Sequence, residues 1–198
     1  MKVLKSLALA LGLVVLSSLP VIASASTQVA GVTFEDGYVL GGKPLVLNGA
    51  GLRLKMIIKV YAVALYLPDK DTHADGVLAQ TGAKSIHIAM LRDVSGHDLS
   101  EGLIKGMLKN ITSAELDQMQ ARIDELDNNL KSLGGVKRGE LIQLDYVPGT
   151  GTHVTMNGTA LGKDIPGDDF YRGLLKIWLG EQAPDEHLKA NLLGSAFH

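Results

Sequence analysis

The chain has 198 residues, of which 46% are hydrophobic and 20% charged, and its formal net charge at pH 7 is −2. The absence of cysteine excludes disulfides, thiolate metal sites and a cysteine nucleophile. The balance of 19 basic and 21 acidic residues argues against a general nucleic-acid binder.

The N-terminal segment has the pattern of a secretion signal. Lys2 and Lys5 precede an apolar run over residues 7–19, and residues 23–25 are the small residues that a signal peptidase recognises. An uncleaved membrane anchor is the alternative, but Pro20 interrupts a run that is already shorter than the roughly 20 residues of a membrane span. We therefore expect residues 1–25 to be a cleaved signal peptide, and the mature protein to be periplasmic or secreted with no stable membrane span.

The remaining residues, 26–198, are predicted to form a single domain. Loss of Lys2 and Lys5 leaves 17 basic against 21 acidic residues, which gives a formal charge of −4. A chain of this length can bury about 70% of its unfolded surface, so one core can stabilise it without disulfides.

The first part of this domain is predicted to form strands. Short strands are expected over residues 29–34 and 38–40, followed by a turn at residues 41–44. A long strand over residues 55–67 is too apolar on both faces for a solvent-exposed edge. It should pair antiparallel with a strand over residues 85–91, across a polar connection.

Two helices are predicted to follow, and a capping pattern indicates where each begins. Ser95 with Asp98 and Thr112 with Glu115 have the spacing of capping boxes. The second helix carries one apolar stripe that should pack against a sheet, and two glycines at residues 134–135 end it. The stripe consists of Leu116, Met119, Ile123, Leu126, Leu130 and Leu133.

The last part returns to strands and closes with helices. Strands are predicted over residues 140–146, 153–156 and 160–163, with a hairpin turn at Asn157-Gly158. Helices are predicted over residues 168–179 and after Pro184. A sheet with segregated helices is an α+β fold.

The sequence contains no convincing metal, cofactor or catalytic motif. The glycine-rich residues 149–152 join two strands, so no helix N-terminus is expected there to bind phosphate. The six histidines lack metal-ligand spacing, and the triad types at Asp93, Ser95 and His97 are better explained by helix capping at Ser95. We expect no cofactor and no metal, and no catalytic residue is identified.

Arg53 is the strongest candidate for a binding residue. A glycine-rich segment, predicted to be a turn, places it at the start of the long apolar strand. Counting by two from Arg53 puts Tyr61 on the same face, so a guanidinium and a phenol could hold an anion above an apolar floor. The residue pattern alone leaves an alternative in which Arg53 pairs with an acidic side chain and Tyr61 packs in the core.

Several segments resemble the chalcone isomerase superfamily, and its bacterial exported chalcone isomerase-like branch most of all. LNGAGLR at residues 47–53 and KVYAVALYLPD at residues 59–69 are similar to the superfamily signature GAGxR…KFTxIGVYLED. The branch is further resembled by LRDVS at 91–95, LDYVPGTGT at 144–152 and FYRGLLKIWLG at 170–180. The resemblance covers essentially all of residues 26–198.

This resemblance implies an open-faced β-sandwich, in which a large antiparallel sheet carries a helical layer on one face with a cleft between them. The family includes plant isomerases, plastid fatty-acid-binding proteins and members without known activity. In the first two groups the arginine that matches Arg53 contacts the ligand. The isomerase threonine falls at Tyr61, its tyrosine at Leu99 and its asparagine near Gly106, which argues against efficient chalcone cyclisation.

Three functional hypotheses follow. The leading one is a periplasmic protein that binds a small amphipathic anion such as a fatty acid, with Arg53 as the charge anchor and Tyr61 as a second donor. The alternatives are an isomerase or intramolecular lyase with an unidentified substrate, and a ligand-free interaction protein of the cell envelope. If Tyr61, Phe170 and Tyr171 fill the space above the sheet, both ligand hypotheses are weakened.

Overall fold

The computed structural model describes residues 25–194, so the predicted signal peptide lies, except for Ala25, outside the described residues. Within this range no helix combines the length and the apolar composition that a membrane crossing requires. The strands are β1 (Ser26–Val29), β2 (Val32–Glu35), β3 (Gly37–Leu40), β4 (Lys43–Lys55), β5 (Ile58–Leu67), β6 (Lys84–Met90), β7 (Val94–Ser95), β8 (Gly135–Val136), β9 (Leu141–Val147), β10 (Gly151–Met156) and β11 (Thr159–Ala160). The helices are α1 (Ala74–Ala79), α2 (Gly96–Leu108), α3 (Ser113–Lys131), α4 (Asp168–Leu179) and α5 (Glu186–Leu192).

Seven of the strands form one antiparallel sheet in the order β11-β10-β9-β6-β5-β4-β3. β5 and β6 lie in its interior, and residues 61–67 of β5 and all of β6 are buried. The predicted antiparallel pairing of these two strands is therefore confirmed, although the connection between them also contains the short helix α1.

The helices cover one face of this sheet, as expected for an α+β fold. Alternate residues of β5 and β6, such as Val63 and Ile88, form one core with the buried faces of α2, α3 and α4. Trp178 and Tyr171 of α4 are among the largest fully buried side chains of that core. The apolar stripe of α3 packs into the same core.

Both predicted helix caps are confirmed. The Ser95 hydroxyl accepts a hydrogen bond from the Asp98 backbone N–H at 3.0 Å at the start of α2. At the start of α3, Thr112 and Glu115 form a complete reciprocal capping box. Each cap satisfies backbone donors that would otherwise lack a partner at a helix N-terminus.

Two predictions about the β4–β5 region were wrong. Residues 55–67 do not form one strand, because a two-residue turn at Met56-Ile57 separates β4 from β5 and pairs Lys55 with Ile58. Residues 47–53 are not a turn, because they lie within β4, interrupted only by a register shift between Leu47 and Gly49. Gly49 and Gly51 instead allow α5 to pack closely against β4 near Arg53.

A third prediction was also wrong, because residues 29–34 are divided between β1 and β2. A turn at Ala30-Gly31, where both residues have positive φ, folds them into a separate two-stranded hairpin. Phe34 of that hairpin packs against the sheet face opposite the helices, with Leu45 and Ala64.

The large sheet is strongly curled. The Tyr38 hydroxyl on β3 donates a 3.0 Å hydrogen bond to Asp145 on β9, although β4, β5 and β6 lie between these strands in the sheet. The ring of Tyr38 also contacts those of Tyr66 and His87 on the intervening strands. The side chains that make these contacts therefore form a polar cluster on the concave face of the sheet, opposite the helices.

Candidate functional site

Arg53 and Tyr61 lie directly opposite each other on the paired strands β4 and β5. Directly opposed residues of an antiparallel pair point to the same face, with Cβ atoms about 5 Å apart. The predicted shared face is therefore present. It arises from cross-strand pairing, however, and not from alternation along a single strand.

The guanidinium of Arg53 is half-buried and is held by backbone carbonyls. Its Nη1 donates to the Leu54 oxygen and, at 3.5 Å, to the Pro184 oxygen. Among residues 25–194, no carboxylate forms an ion pair with Arg53. The alternative interpretation is therefore wrong in pairing Arg53 with an acidic side chain, as far as the described residues go, but its second part is confirmed, because Tyr61 packs in the core.

The glycines of β4 allow α5 to approach Arg53. A Cβ atom on Gly49 would collide with the backbone oxygen of Asn191, and one on Gly51 would lie 2.6 Å from a methyl group of Leu188. Only glycine permits this distance between strand and helix. Pro184 lies just before α5, so the close packing brings its carbonyl to the guanidinium.

Tyr61 joins the site to the core. It is 8% exposed, and its hydroxyl oxygen accepts a 3.0 Å hydrogen bond from the indole N–H of Trp178. Burial raises the pKa of Tyr61, although the indole and Arg53 act in the opposite direction. The phenol is therefore protonated at neutral pH and can donate a hydrogen bond of its own.

Arg53 and Tyr61 open onto a cleft of about 550 Å³ between the sheet end and α2. This volume is within the range of about 300–1,000 Å³ typical of small-molecule sites. Apolar and small residues form part of its wall: Val60, Met90, Val94, Leu99, Gly102, Leu103, Gly106, Ile177 and Pro184. Charged and polar residues form the remainder: Arg53, Lys55, Tyr61, Arg92, Asp93, Ser95, Asp98, Glu101 and Lys105.

The carboxylates of the cleft already have partners. The hydrogen bond from the Arg138 backbone N–H lowers the pKa of Asp93 most, and the ion pair with Lys137 at 3.1 Å lowers it further. Glu101 pairs with Lys105 at 2.6 Å, which lowers the pKa of Glu101.

The third carboxylate, Asp98, accepts a hydrogen bond from Ser95 at 2.7 Å. In contrast, no ion pair engages Arg53, Lys55 or Arg92 within the described part of the chain. The cleft therefore presents cations whose charge is not yet neutralised, and this favours an anionic ligand.

Sequence reasoning did not identify Arg92 as a cleft residue. It comes two positions after Met90, which is paired with Tyr61 across β5 and β6. Side chains alternate along an extended chain, so counting on by two from Met90 at the end of β6 would have placed Arg92 on the cleft side.

Two positions of α2 at which the resemblance implies polar groups in the isomerases carry no polar side chain here and lie in the cleft. Leu99 and Gly106 of α2 both line it. Phe170 and Tyr171 are fully buried in the core and do not line the cleft, so the space that a ligand would need remains open beside Tyr61.

No group of three histidine, aspartate or glutamate side chains in residues 25–194 is arranged to hold a metal ion. The side chains that line the cleft supply guanidinium groups, a phenol, ammonium groups, carboxylates and an apolar wall.

Comparisons with known proteins agree with this architecture. Residues 26–194 match the family described as chalcone isomerase-like. The crystal structure of a fatty-acid binding protein from Arabidopsis thaliana superposes with a TM-score of 0.63 at 17% sequence identity, covering 85% of this chain and 96% of that chain. No curated protein matches the sequence.

Proposed function

Since the chain belongs to the chalcone isomerase-like family, we propose that it binds a small amphipathic anion, such as a fatty acid, in the cleft beside Arg53. Arg53 is the charge anchor and Tyr61 the second donor. The single observation that carries this proposal is the Arg53 guanidinium, which has no ion pair with a described residue and lines a cleft whose wall is partly apolar.

The chemistry of the cleft matches both ends of such a ligand. A guanidinium binds a carboxylate through two parallel charge-assisted hydrogen bonds, and a hydrogen bond from the Tyr61 phenol can be added to the same oxygens. The hydrocarbon part can lie on Met90, Leu103 and Ile177. Each buried CH₂ group contributes about 0.8 kcal/mol, so the chain of the ligand provides most of the affinity and the anion its orientation.

Binding without catalysis is favoured by the same cleft. Leu99 and Gly106 supply no hydrogen-bond donor at the two positions on α2, so developing negative charge would meet only Arg53, Tyr61 and the surrounding cations. The fold is shared with a fatty-acid binding protein, which adds support for a lipid ligand. We further propose that the protein acts in the periplasm or outside the cell, on the basis of its N-terminal pattern.

Native mass spectrometry of the mature protein with palmitate tests the proposal. We expect a one-to-one adduct that Arg53→Ala largely removes. Arg138→Ala is the matched control, because this exposed arginine lies at the same end of the sheet but outside the cleft lining. Absence of an adduct with the unaltered protein, or equal adducts in all three proteins, would contradict the proposal.

The same proteins distinguish the isomerase alternative. Turnover of a chalcone or related enone by the unaltered protein, above the rate of Arg53→Ala, would assign an intramolecular lyase activity instead. We expect progress curves that do not differ from the uncatalysed reaction.

A further inference from the structure

The turn between β4 and β5 exposes a compact group of apolar side chains. Met56 is 92% exposed, Ile57 93% and Ile58 47%. They are adjacent in sequence and form the tip of the hairpin. These three are also most of the large apolar side chains that are exposed in the described part of the chain, the others being Val39 and Leu108.

The backbone at this tip does not favour the residue that occupies it. Met56 has a φ of 56°, in the left-handed region. Two-residue hairpin turns place glycine or asparagine at such a position, because a Cβ atom is strained there. The hairpin turn at Asn157-Gly158 has the usual residues. A long apolar side chain therefore occupies a position at which the local backbone favours glycine or asparagine.

Basic residues surround this apolar tip. Lys55 and Lys59 flank it, both are exposed, and neither forms an ion pair with a described residue. Strand β6 ends beside this hairpin, because its last residue, Met90, pairs with Tyr61 of β5. The Gly139 N–H donates to the Met90 oxygen, so the segment around Gly139 lies at the same end of the sheet. The residues at this end and in the adjoining cleft include four acidic side chains, Asp93, Asp98, Glu101 and Glu140, against seven basic ones: Arg53, Lys55, Lys59, Arg92, Lys105, Lys137 and Arg138. The end is therefore positive although the whole chain has a formal charge of −2.

We propose that this hairpin tip docks the protein onto a bilayer that contains anionic phospholipid. Met56, Ile57 and Ile58 enter the boundary between headgroups and acyl chains, and the flanking lysines contact lipid phosphates. A bilayer fits better than a protein partner, because a narrow protruding tip offers little of the roughly 1,000 Å² that a specific protein interface buries. The charge of the surrounding residues is complementary to an anionic membrane surface.

The position of the tip connects docking to the cleft. Arg53, Lys55 and Val60, on the two strands that form the hairpin, all line the cleft. Docking therefore places the mouth of the cleft at the membrane surface, where an amphipathic anion can exchange with the bilayer. This consequence rests on the proposed function, whereas docking itself does not.

Co-sedimentation with vesicles tests docking. The vesicles consist of phosphatidylcholine alone, or of equal parts phosphatidylcholine and phosphatidylglycerol. We expect the mature protein to bind the anionic vesicles at least about tenfold more tightly, and this preference to weaken as salt is added. Equal binding to both vesicles, or no binding to either, would overturn the proposal.

Two variants identify the contacts. Met56→Ser combined with Ile57→Ser should weaken binding to anionic vesicles by about tenfold or more, because the apolar insertion is lost. Lys55→Gln combined with Lys59→Gln should remove most of the preference for anionic vesicles. The matched control is Val39→Ser, since Val39 is 68% exposed but pairs with Pro44 at the other end of β4. A tip variant that binds as well as the unaltered protein, or a control that loses equal affinity, would contradict the assignment.

The palmitate adduct separates this proposal from the proposed function. Met56 and Ile57 do not line the cleft, so the double serine variant should keep its adduct and its melting temperature while losing vesicle binding. If palmitate never binds but vesicle docking depends on the tip, docking stands and the proposed function fails. If the tip variant alters only self-association in size-exclusion chromatography, the tip is a contact between copies and docking is wrong.

Discussion

The hydrogen bond between Trp178 and Tyr61 joins the proposed binding site to the core. The Trp178 indole is 1% exposed, and its N–H donates to the Tyr61 hydroxyl at 3.0 Å. A buried donor without an acceptor is costly, so the interaction holds the phenol in place beside Arg53.

Tyr61→Phe should therefore reduce the free energy of unfolding by about 1–3 kcal/mol, because it leaves the buried indole N–H of Trp178 without an acceptor. Chemical denaturation measures this loss. Tyr171→Phe is the control, since the Tyr171 hydroxyl donates to the Leu144 carbonyl inside the sheet and no donor is stranded by its removal. If Tyr61→Phe costs no more than Tyr171→Phe, the indole is not held as described.

The sequence predicted that Arg53 and Tyr61 share a face, but it did not predict which groups surround them. Arg53 and Tyr61 do face the same side, and Ser95 and Thr112 do cap helices. The Pro184 carbonyl that contacts Arg53 is 131 positions away in the chain, so no local pattern could have indicated it.

The packing of α5 against β4 determines where Arg53 lies. Gly49 and Gly51 leave no side chain between strand and helix, and Asn48 adds a hydrogen bond from its amide to the Leu192 carbonyl at 2.7 Å. The strand and the helix therefore behave as one unit that carries the guanidinium and the Pro184 carbonyl together.

Gly49→Ala should lower the free energy of unfolding by about 1–3 kcal/mol, because the added methyl group collides with the backbone of Asn191. The control is Gly102→Ala on α2, where an added Cβ atom has no neighbour within 4 Å. That substitution should instead stabilise the protein, by about 0.4–1 kcal/mol, through its effect on the unfolded chain. Thermal denaturation distinguishes the two, and equal effects would show that α5 does not pack as tightly as the structure has it.

The two errors in the β4–β5 region arise because the glycines and the turn lie at different positions there. The glycines at 49 and 51 resemble a turn but serve close packing inside a strand, whereas the true turn at Met56-Ile57 contains no residue that favours a turn. Tertiary contacts override local preference in the first case. Where the residues matched their usual use, as at Asn157-Gly158, the predicted hairpin was confirmed.

The curl of the whole sheet brings together a buried polar cluster that local patterns did not reveal. His87 is 8% exposed and lies against the rings of Tyr38 and Tyr66, with centroid distances of 4.6 and 4.7 Å. Its ring also contacts Gln143, and Asp145 accepts hydrogen bonds from Ser85 and Tyr38 nearby. Only the three-dimensional curl brings these residues together, whereas fold class and helical layer follow from periodicity and from the family.

This cluster should make stability depend on pH. Burial lowers the pKa of His87 to about 4, while a histidine in the unfolded chain has a pKa of about 6.5. Between these values the unfolded chain binds a proton that the folded chain excludes, so stability falls as the pH falls. The loss attributable to His87 approaches about 3 kcal/mol near pH 4.

Asp145 acts in the opposite direction, because burial raises its pKa and the folded state then holds a proton that the unfolded state has lost. His87→Gln isolates the histidine. The free energy of unfolding of the unaltered protein, minus that of this variant, should fall steadily from about pH 7 to about pH 4. A difference that does not vary with pH would show that His87 is not excluded from protonation in the fold.

A cycle of two ligands and two proteins tests whether Arg53 binds the anionic end of a ligand. Decanoate and decanol are titrated calorimetrically into the unaltered protein and into Arg53→Gln. We predict that Arg53→Gln weakens the binding of decanoate by about 1.5–3 kcal/mol, the value of hydrogen bonds to a charged group. The binding free energy of decanol should be nearly unchanged. Equal losses for the acid and the alcohol would contradict a role for Arg53 as the charge anchor.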